Sequence, residues 1–193
     1  VENEATDEVV DEAISDSVGT TQSEFDNKLN ELRGQYPNYS VWNDWFDGGH
    51  QCFGFARLIG YNVFGTKPST WGKGYNINEV KLGDLIQYGN TSGSGHTVFV
   101  TNVSGDTITF VDCNGNGNYS GGNKVRSNGV KWYNTIKKSA KIWNKYSFSY
   151  ILVSPGISPD PDPDQSNHDP YGCLDSCTGG AGVINISGWA KDN

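Results

Sequence analysis

The chain has 193 residues, enough for one good core plus appendages. Its hydrophobic residues, 35% of the total, form no run long enough to span a membrane, and a net charge of −8 offers nucleic acid no general basic surface. The acids gather at the ends: residues 1–18 hold seven and no base, residues 156–193 hold six against Lys191, and residues 19–155 hold nine against 13 Lys and Arg. A mildly basic middle between acidic ends suits an anionic polymer surface or an ordinary solvated one.

In chain order, residues 1–20 are acidic and lack aromatic residues, which predicts a disordered leader. The chain starts at Val1 and contains no Met, as a processed product would, so secretion stays open. Phe25, Leu29 and Leu32 recur at helical spacing; Ser23 with Asp26 predicts the cap of that helix and Gly34 its end. Residues 36–46 are rich in aromatics and broken by Pro37, as in an ordered loop. Residues 51–64 are apolar on nearly every side, which predicts a buried helix ended by Gly65 and Pro68.

The period then changes to that of strands, at about 83–88, 96–103, 107–113, 123–134 and 146–154, with Gly105-Asp106 as a tight turn. Helices followed by antiparallel strands define an α+β class for residues 21–154. Residues 155–170 hold Pro155, Pro159, Pro161, Pro163 and Pro170 among aspartates, a charged and semi-extended linker. Residues 171–193 contain one strand leading into a turn. A single strand is not stable alone, so they read as a fragment of a second β-rich module or repeat. Cys173 and Cys177 are spaced for a small local disulfide in an oxidising compartment, and with only His168 nearby they fall short of a zinc set.

The chemistry concentrates in the middle. Cys52 opens the 51–64 helix, where peptide dipoles favour a thiolate and free N–H groups can hold an oxyanion. Gln51 beside it offers a supporting side-chain amide or a structural hydrogen bond. His96 begins a strand whose alternation puts it on one face with Val98 and Val100, after the small residues Ser92-Gly93-Ser94-Gly95. One hairpin later Asp112 and Asn114 share a strand face, and antiparallel pairing brings them to His96, while Cys113 points the other way as a packed thiol. Such an arrangement serves a thiolate nucleophile with an oriented imidazole. His50 is the other imidazole near the thiol. Trp42, Trp45 and Trp71 (with Trp132 and Trp143) either line a substrate groove or pack in the core, the commoner place for such rings.

Gln51-Cys52 opening a helix, Gly83-Asp84-Leu85-Ile86 on the first strand, Gly95-His96-Thr97-Val98 on the second and Asp112-x-Asn114 on the third together resemble the CHAP family of cysteine, histidine-dependent amidohydrolase/peptidases, in the NlpC-like papain-related clan. The resemblance covers about residues 23–154. It implies a papain-like core with helices packed on an antiparallel sheet, Cys52 as nucleophile and His96 as base. The family's third position is commonly glutamate with asparagine two residues later; Asp112 and Asn114 stand there, and either can orient His96. The implied substrate is peptidoglycan or its stem peptides, cut at the muramic acid amide or within the peptides. Asp44 and Asp47 are similar to part of a calcium loop in some relatives, but the ligands are too few, so no metal or cofactor is expected. A secreted, cell-wall-associated protein follows, with no membrane span and with surface association through residues 171–193. The alternatives are a non-catalytic surface-binding or assembly protein with a degenerate peptidase fold, and a cysteine protease acting on proteins.

Overall fold

The computed structural model describes residues 19–114, 129–160, 171–180 and 183–191, the last two spans by their backbone. The expected leader and most of the expected linker lie outside these residues. Contacts divide the chain into two units after Ser158.

The first unit opens with α1 (Gln22–Gln35), started by a capping box in which Thr21 Oγ1 accepts the Glu24 N–H at 3.2 Å and Glu24 Oε2 accepts the Thr21 N–H at 2.8 Å. The helix therefore starts ahead of the expected Ser23 cap, because Thr21 is the residue with extended backbone beside a glutamate three positions on. Its buried stripe is Phe25, Leu29 and Leu32. After the aromatic loop, β1 (Trp45–Phe46) and β2 (Gly49–His50) form a minimal hairpin. Asp47 and Gly48 turn it with φ of 47° and 81°, the two left-handed residues that a tight hairpin turn requires. Asp47 accepts the Ser69 N–H at 2.8 Å and the Ser69 hydroxyl, and its carbonyl accepts from Arg57.

This pinned hairpin runs directly into α2 (Gln51–Phe64), which ends at Gly65 in the left-handed conformation. Phe55, Ala56, Ile59 and Val63 are buried, but Gln51, Tyr61 and Asn62 are exposed, so the helix is buried on one side and not all round. A Cβ at Gly54 would lie 2.2 Å from the Gly49 carbonyl oxygen, which makes glycine the residue that lets α2 lie against β2.

The helices pack on a six-stranded antiparallel sheet: β3 (Gly72–Gly74), β4 (Leu85–Gly89), β5 (Gly95–Ser104), β6 (Thr107–Cys113), β7 (Val130–Lys137) and β8 (Ser147–Val153), in the order β3-β8-β4-β5-β6-β7. This is the α+β arrangement expected from the sequence. β7 begins at Val130 and runs past the expected end at 134; residues 115–128 lie outside the described residues. Each face of the sheet has its own core. Phe99, Val111 and Trp132 meet Phe25, Phe55 and Ile59 on the helix side, while Tyr88, Val98, Val100 and Phe110 pack with Ile142 and Tyr146 on the other. With both faces covered, β4 to β6 read as continuous apolar runs rather than clean alternations.

Asp84, 1% exposed, ties this layer together: Oδ2 accepts the Lys81 N–H and Oδ1 the Ser154 N–H, each at 2.9 Å. Burial raises its carboxyl above the usual range even so. Three bulges bend the sheet, and opposite Gln87 and Tyr88 of β4 the extra residue is Ser149 of β8. Between Val100 and Asn102, β5 carries one residue more than β6; near Val111, Trp132 and Tyr133 of β7 together oppose one residue of β6.

In the second unit β9 (Tyr171–Gly180) pairs antiparallel with β10 (Val183–Lys191), with Trp189 opposite Cys173 and Ile186 opposite Cys177. Residues 171–193 thus hold a two-stranded hairpin where one strand was expected. Cys173 and Cys177 sit four residues apart on one extended strand, about 13 Å at its rise per residue. Their side chains, and with them the expected local bridge, lie outside what the structure describes. No helix among the described residues is long and apolar enough to cross a membrane.

Candidate active site

The β1–β2 hairpin delivers the chain to α2 through Gln51, whose φ of 55° is strained for a non-glycine residue. The turn sets Cys52 in the first turn of α2. His50 occupies the cap position with no side-chain cap hydrogen bond, so the first N–H groups of α2 are left open beside the sulfur. β5 supplies His96 directly after Gly95, where a Cβ would stand 2.5 Å from the Tyr88 carbonyl oxygen. Glycine there lets the start of β5 press against β4.

His96 and Asp112 are 1% and 0% exposed and meet across the β5–β6 pair, with Nε2–H donating to Asp112 Oδ2 at 2.6 Å. The remaining ring nitrogen is left for Cys52, whose thiol hydrogen-bonds His96 and also accepts the Thr97 N–H. Cys52, His96 and Asp112 therefore form a continuous row. Burial opposes charge on the thiol, but the hydrogen bond and positive charge of His96 outweigh it and lower the Cys52 pKa. Burial likewise opposes the imidazolium, and the Asp112 hydrogen bond, followed by that of Cys52, brings His96 up to about 9. The two shifts favour thiolate and imidazolium at neutral pH. Cys113 lies on the helix side of β6, its sulfur 3.7 Å from the Trp42 carbonyl oxygen, and burial pushes its thiol up to about 12.

Asn114 departs from the expected arrangement. Extending the β5–β6 register would place it opposite His96, but it follows the end of β6 with φ of 60° and donates to Gln51 Oε1 at 3.0 Å. The residue behind Asp112 is Asn134, buried, whose Nδ2 donates to Asp112 Oδ1 at 2.7 Å. By plain alternation Asn134 would share the face of Trp132; the β7 bulge moves it to the other. Trp143, held with φ of 53° in the turn before β8, sets its ring 4.2 Å from that of His96. Of the three tryptophans proposed for a groove, Trp42 and Trp71 are buried in the helix-side core, where their rings fill the space around Phe55 and Phe64. Trp45 is 67% exposed and lies beside His50. Asp47 is engaged by Ser69 and Arg57, and among the described residues no three His, Cys, Asp or Glu side chains are grouped as metal ligands.

An antiparallel sheet carrying a buried histidine–aspartate pair, with a helix-start cysteine beside it, sets a thiol against an oriented imidazole. The family model of the CHAP domain matches residues 41–114, a span containing Cys52, His96, Asp112 and Asn114. The resemblance to the cysteine, histidine-dependent amidohydrolase/peptidases is thus shown over those residues, and CHAP domains are hydrolases of peptidoglycan amide bonds. Two solved structures are similar to the chain, the crystal structure of Ly7917 and that of Ly7917 with the hydrolyzing product of MDP. Each is 18% identical with a TM-score of 0.40, over 66% and 68% of this chain. The chain spans 62% and 63% of theirs. No curated protein matches the chain.

Proposed function

We propose that this chain is a secreted cysteine hydrolase that cuts amide bonds of bacterial cell-wall peptidoglycan, with Cys52 as nucleophile, His96 as acid and base, and Asp112 as the residue orienting His96. The observation that carries the reading is the row from the half-buried Cys52 through the buried His96 to Asp112, with the thiol pKa lowered and the imidazole pKa raised.

The Cys52 thiolate attacks the carbonyl carbon of the scissile amide, and the carbonyl electron pair moves to oxygen. The uncapped N–H groups of the α2 first turn face that oxyanion. Gln51 adds its Nε2 there, since Asn114 already engages Oε1 and so orients the amide. Imidazolium His96 then gives its proton to the leaving nitrogen as the C–N bond breaks, leaving an acyl-thioester on Cys52. His96, now neutral, takes a proton from water, whose oxygen attacks the thioester and expels the thiolate. Asp112 keeps the imidazole tautomer fixed throughout and stabilises its cation. Support for the substrate class comes from the match to the CHAP domain, a hydrolase of peptidoglycan amide bonds.

Digesting purified wall and soluble muropeptides and identifying the products by mass spectrometry tests this reading. New free amines at one bond, absent with Cys52→Ala, are expected. Intact walls after incubation with a folded wild-type chain would instead favour a non-catalytic surface protein.

A further inference from the structure

Away from Cys52, α1 and strands β5 to β7 border an open cavity of about 580 Å³ lined by Asp26, Asn30, Arg33, Thr101, Thr109 and Tyr133 among others. We propose that this cavity binds N-acetylated hexosamine units of a glycan chain; the proposal deepens the reading above and rests on it for the identity of the polymer.

Four observations carry it. Asp26, Asn30 and Arg33 follow one another at helical spacing on α1, so one helix face gives the cavity an acceptor, an amide and a donor. Arg33 Nη1 donates to Asn30 Oδ1 at 3.1 Å, and Arg33 Cζ lies 4.7 Å from the centre of the Tyr133 ring. Tyr133 is 59% exposed and strained at φ 63°, although a large aromatic on a sheet normally covers itself. Two of the three sheet bulges border the cavity: Thr101 is the extra residue of β5, and Tyr133 belongs to the doubled pair of β7. Bulges of this kind re-aim side chains and gather beside functional sites.

The required ligand has an apolar face for the tyrosine ring, a carbonyl for the guanidinium of Arg33, and hydroxyl or N–H donors for Asp26 and Asn30. Asp26 and Arg33 carry opposite charges, which favours a neutral ligand. An N-acetylhexosamine offers a C–H face, an acetamido carbonyl and hydroxyls, and the volume is within the range of small-ligand sites. Peptide stems carry net carboxylate charge, which the balanced Asp26 and Arg33 do not select. Thr109 stands three residues from Asp112, about 10 Å along the strand, so a glycan held here leaves the thiol free. The α1 and β7 residues lie outside the span matched by the family model.

The test uses the full chain as Cys52→Ala, so that nothing is hydrolysed, titrated with tetra-N-acetylglucosamine by calorimetry. Tyr133→Ala, Arg33→Met and Asp26→Ala, each in that background and checked for an unchanged melting temperature, are expected to weaken binding about tenfold or more. Asp26 is exposed, so at least that variant keeps the fold. Equal affinity in the folded variants, no saturable binding, or binding of a free stem peptide in place of the sugar overturns the proposal. With Cys52 intact, Tyr133→Ala is expected to release less product from whole walls than the wild type. A wild-type chain that cuts no peptidoglycan yet binds the tetrasaccharide through Tyr133 refutes the hydrolase reading and upholds the sugar site.

Discussion

The helices α1 and α2 have equal length but begin in opposite ways. α1 is closed by its Thr21–Glu24 capping box, and its orphan N–H groups are satisfied inside the chain. α2 follows a strained Gln51, has no side-chain cap at His50, and presents Cys52 beside its open N–H groups. One start is built for stability and the other is left unsatisfied where a reacting oxygen and a thiolate can use it. The comparison teaches that a missing cap at a firmly pinned helix start is a chemical resource, kept in place by the Asp47 hairpin contacts rather than by the helix itself.

The sharpest way to break this comparison is at the two described thiols. Cys52→Ala is expected to remove essentially all amide hydrolysis with little change in melting temperature, while Cys113→Ala keeps it, as measured by product release from soluble muropeptides. Reversed results would move the chemistry from the start of α2 to the end of β6.

Next in size is the imidazole. His96→Ala removes the group that lowers the Cys52 pKa, so the alkylation rate of Cys52 against pH should shift its midpoint upward, with turnover lost. An unchanged alkylation profile would transfer the role to another base, with His50 the nearby candidate.

Asp112→Asn is expected to cut turnover by about two orders of magnitude, at the low end of what positioned acid–base groups contribute. The sign of the pH effect follows from the two shifts. The ion pair exists above the lowered Cys52 pKa and below the His96 value of about 9, so wild-type activity falls on the alkaline side near pH 9. Loss of Asp112 lowers the His96 pKa, and the alkaline limb should move to lower pH. An alkaline limb that stays in place would show that His96 takes its shift from elsewhere.

Asn134→Ala should act in the same direction and more weakly, by about tenfold, the size of one hydrogen bond to a charged group. Asn114→Ala, acting through Gln51, should leave the alkaline limb unmoved, which separates it from Asn134. Smallest for activity is Thr21→Ala, expected to lower stability by about 1 kcal/mol in thermal or urea unfolding and leave turnover unchanged. A loss of turnover there would couple the α1 start to the site.

Much of this was legible in residue order. The helix-start cysteine, the glycine before His96 and the Asp112 position lie within spans whose period is unambiguous, so local rules sufficed to place them on a helix and two paired strands. The α2 helix and strands β5 and β6 fall within a residue or two of expectation. What misled was the assumption of uninterrupted alternation. It set Asn114 behind His96, and a left-handed residue at the strand end turned it toward Gln51 instead. It also hid Asn134, which reaches Asp112 only because β7 doubles a residue opposite Val111.

Residue order by itself determined the elements, the α+β class and the candidate nucleophile, because helical and strand periods and turn-forming glycines act over a few neighbours. Tertiary structure alone decided the partner of each side chain: Asn134 rather than Asn114 behind Asp112, Trp143 rather than Trp42 or Trp71 against the imidazole, and Arg33 with Tyr133 around a cavity. Those choices depend on strand register, on bulges and on chain reversals between residues far apart in the chain, as when the Trp132 N–H meets Asn38 Oδ1, 94 positions away. No local period records such a distance, since each pairing is set by the packing of two faces that meet only after the chain has folded.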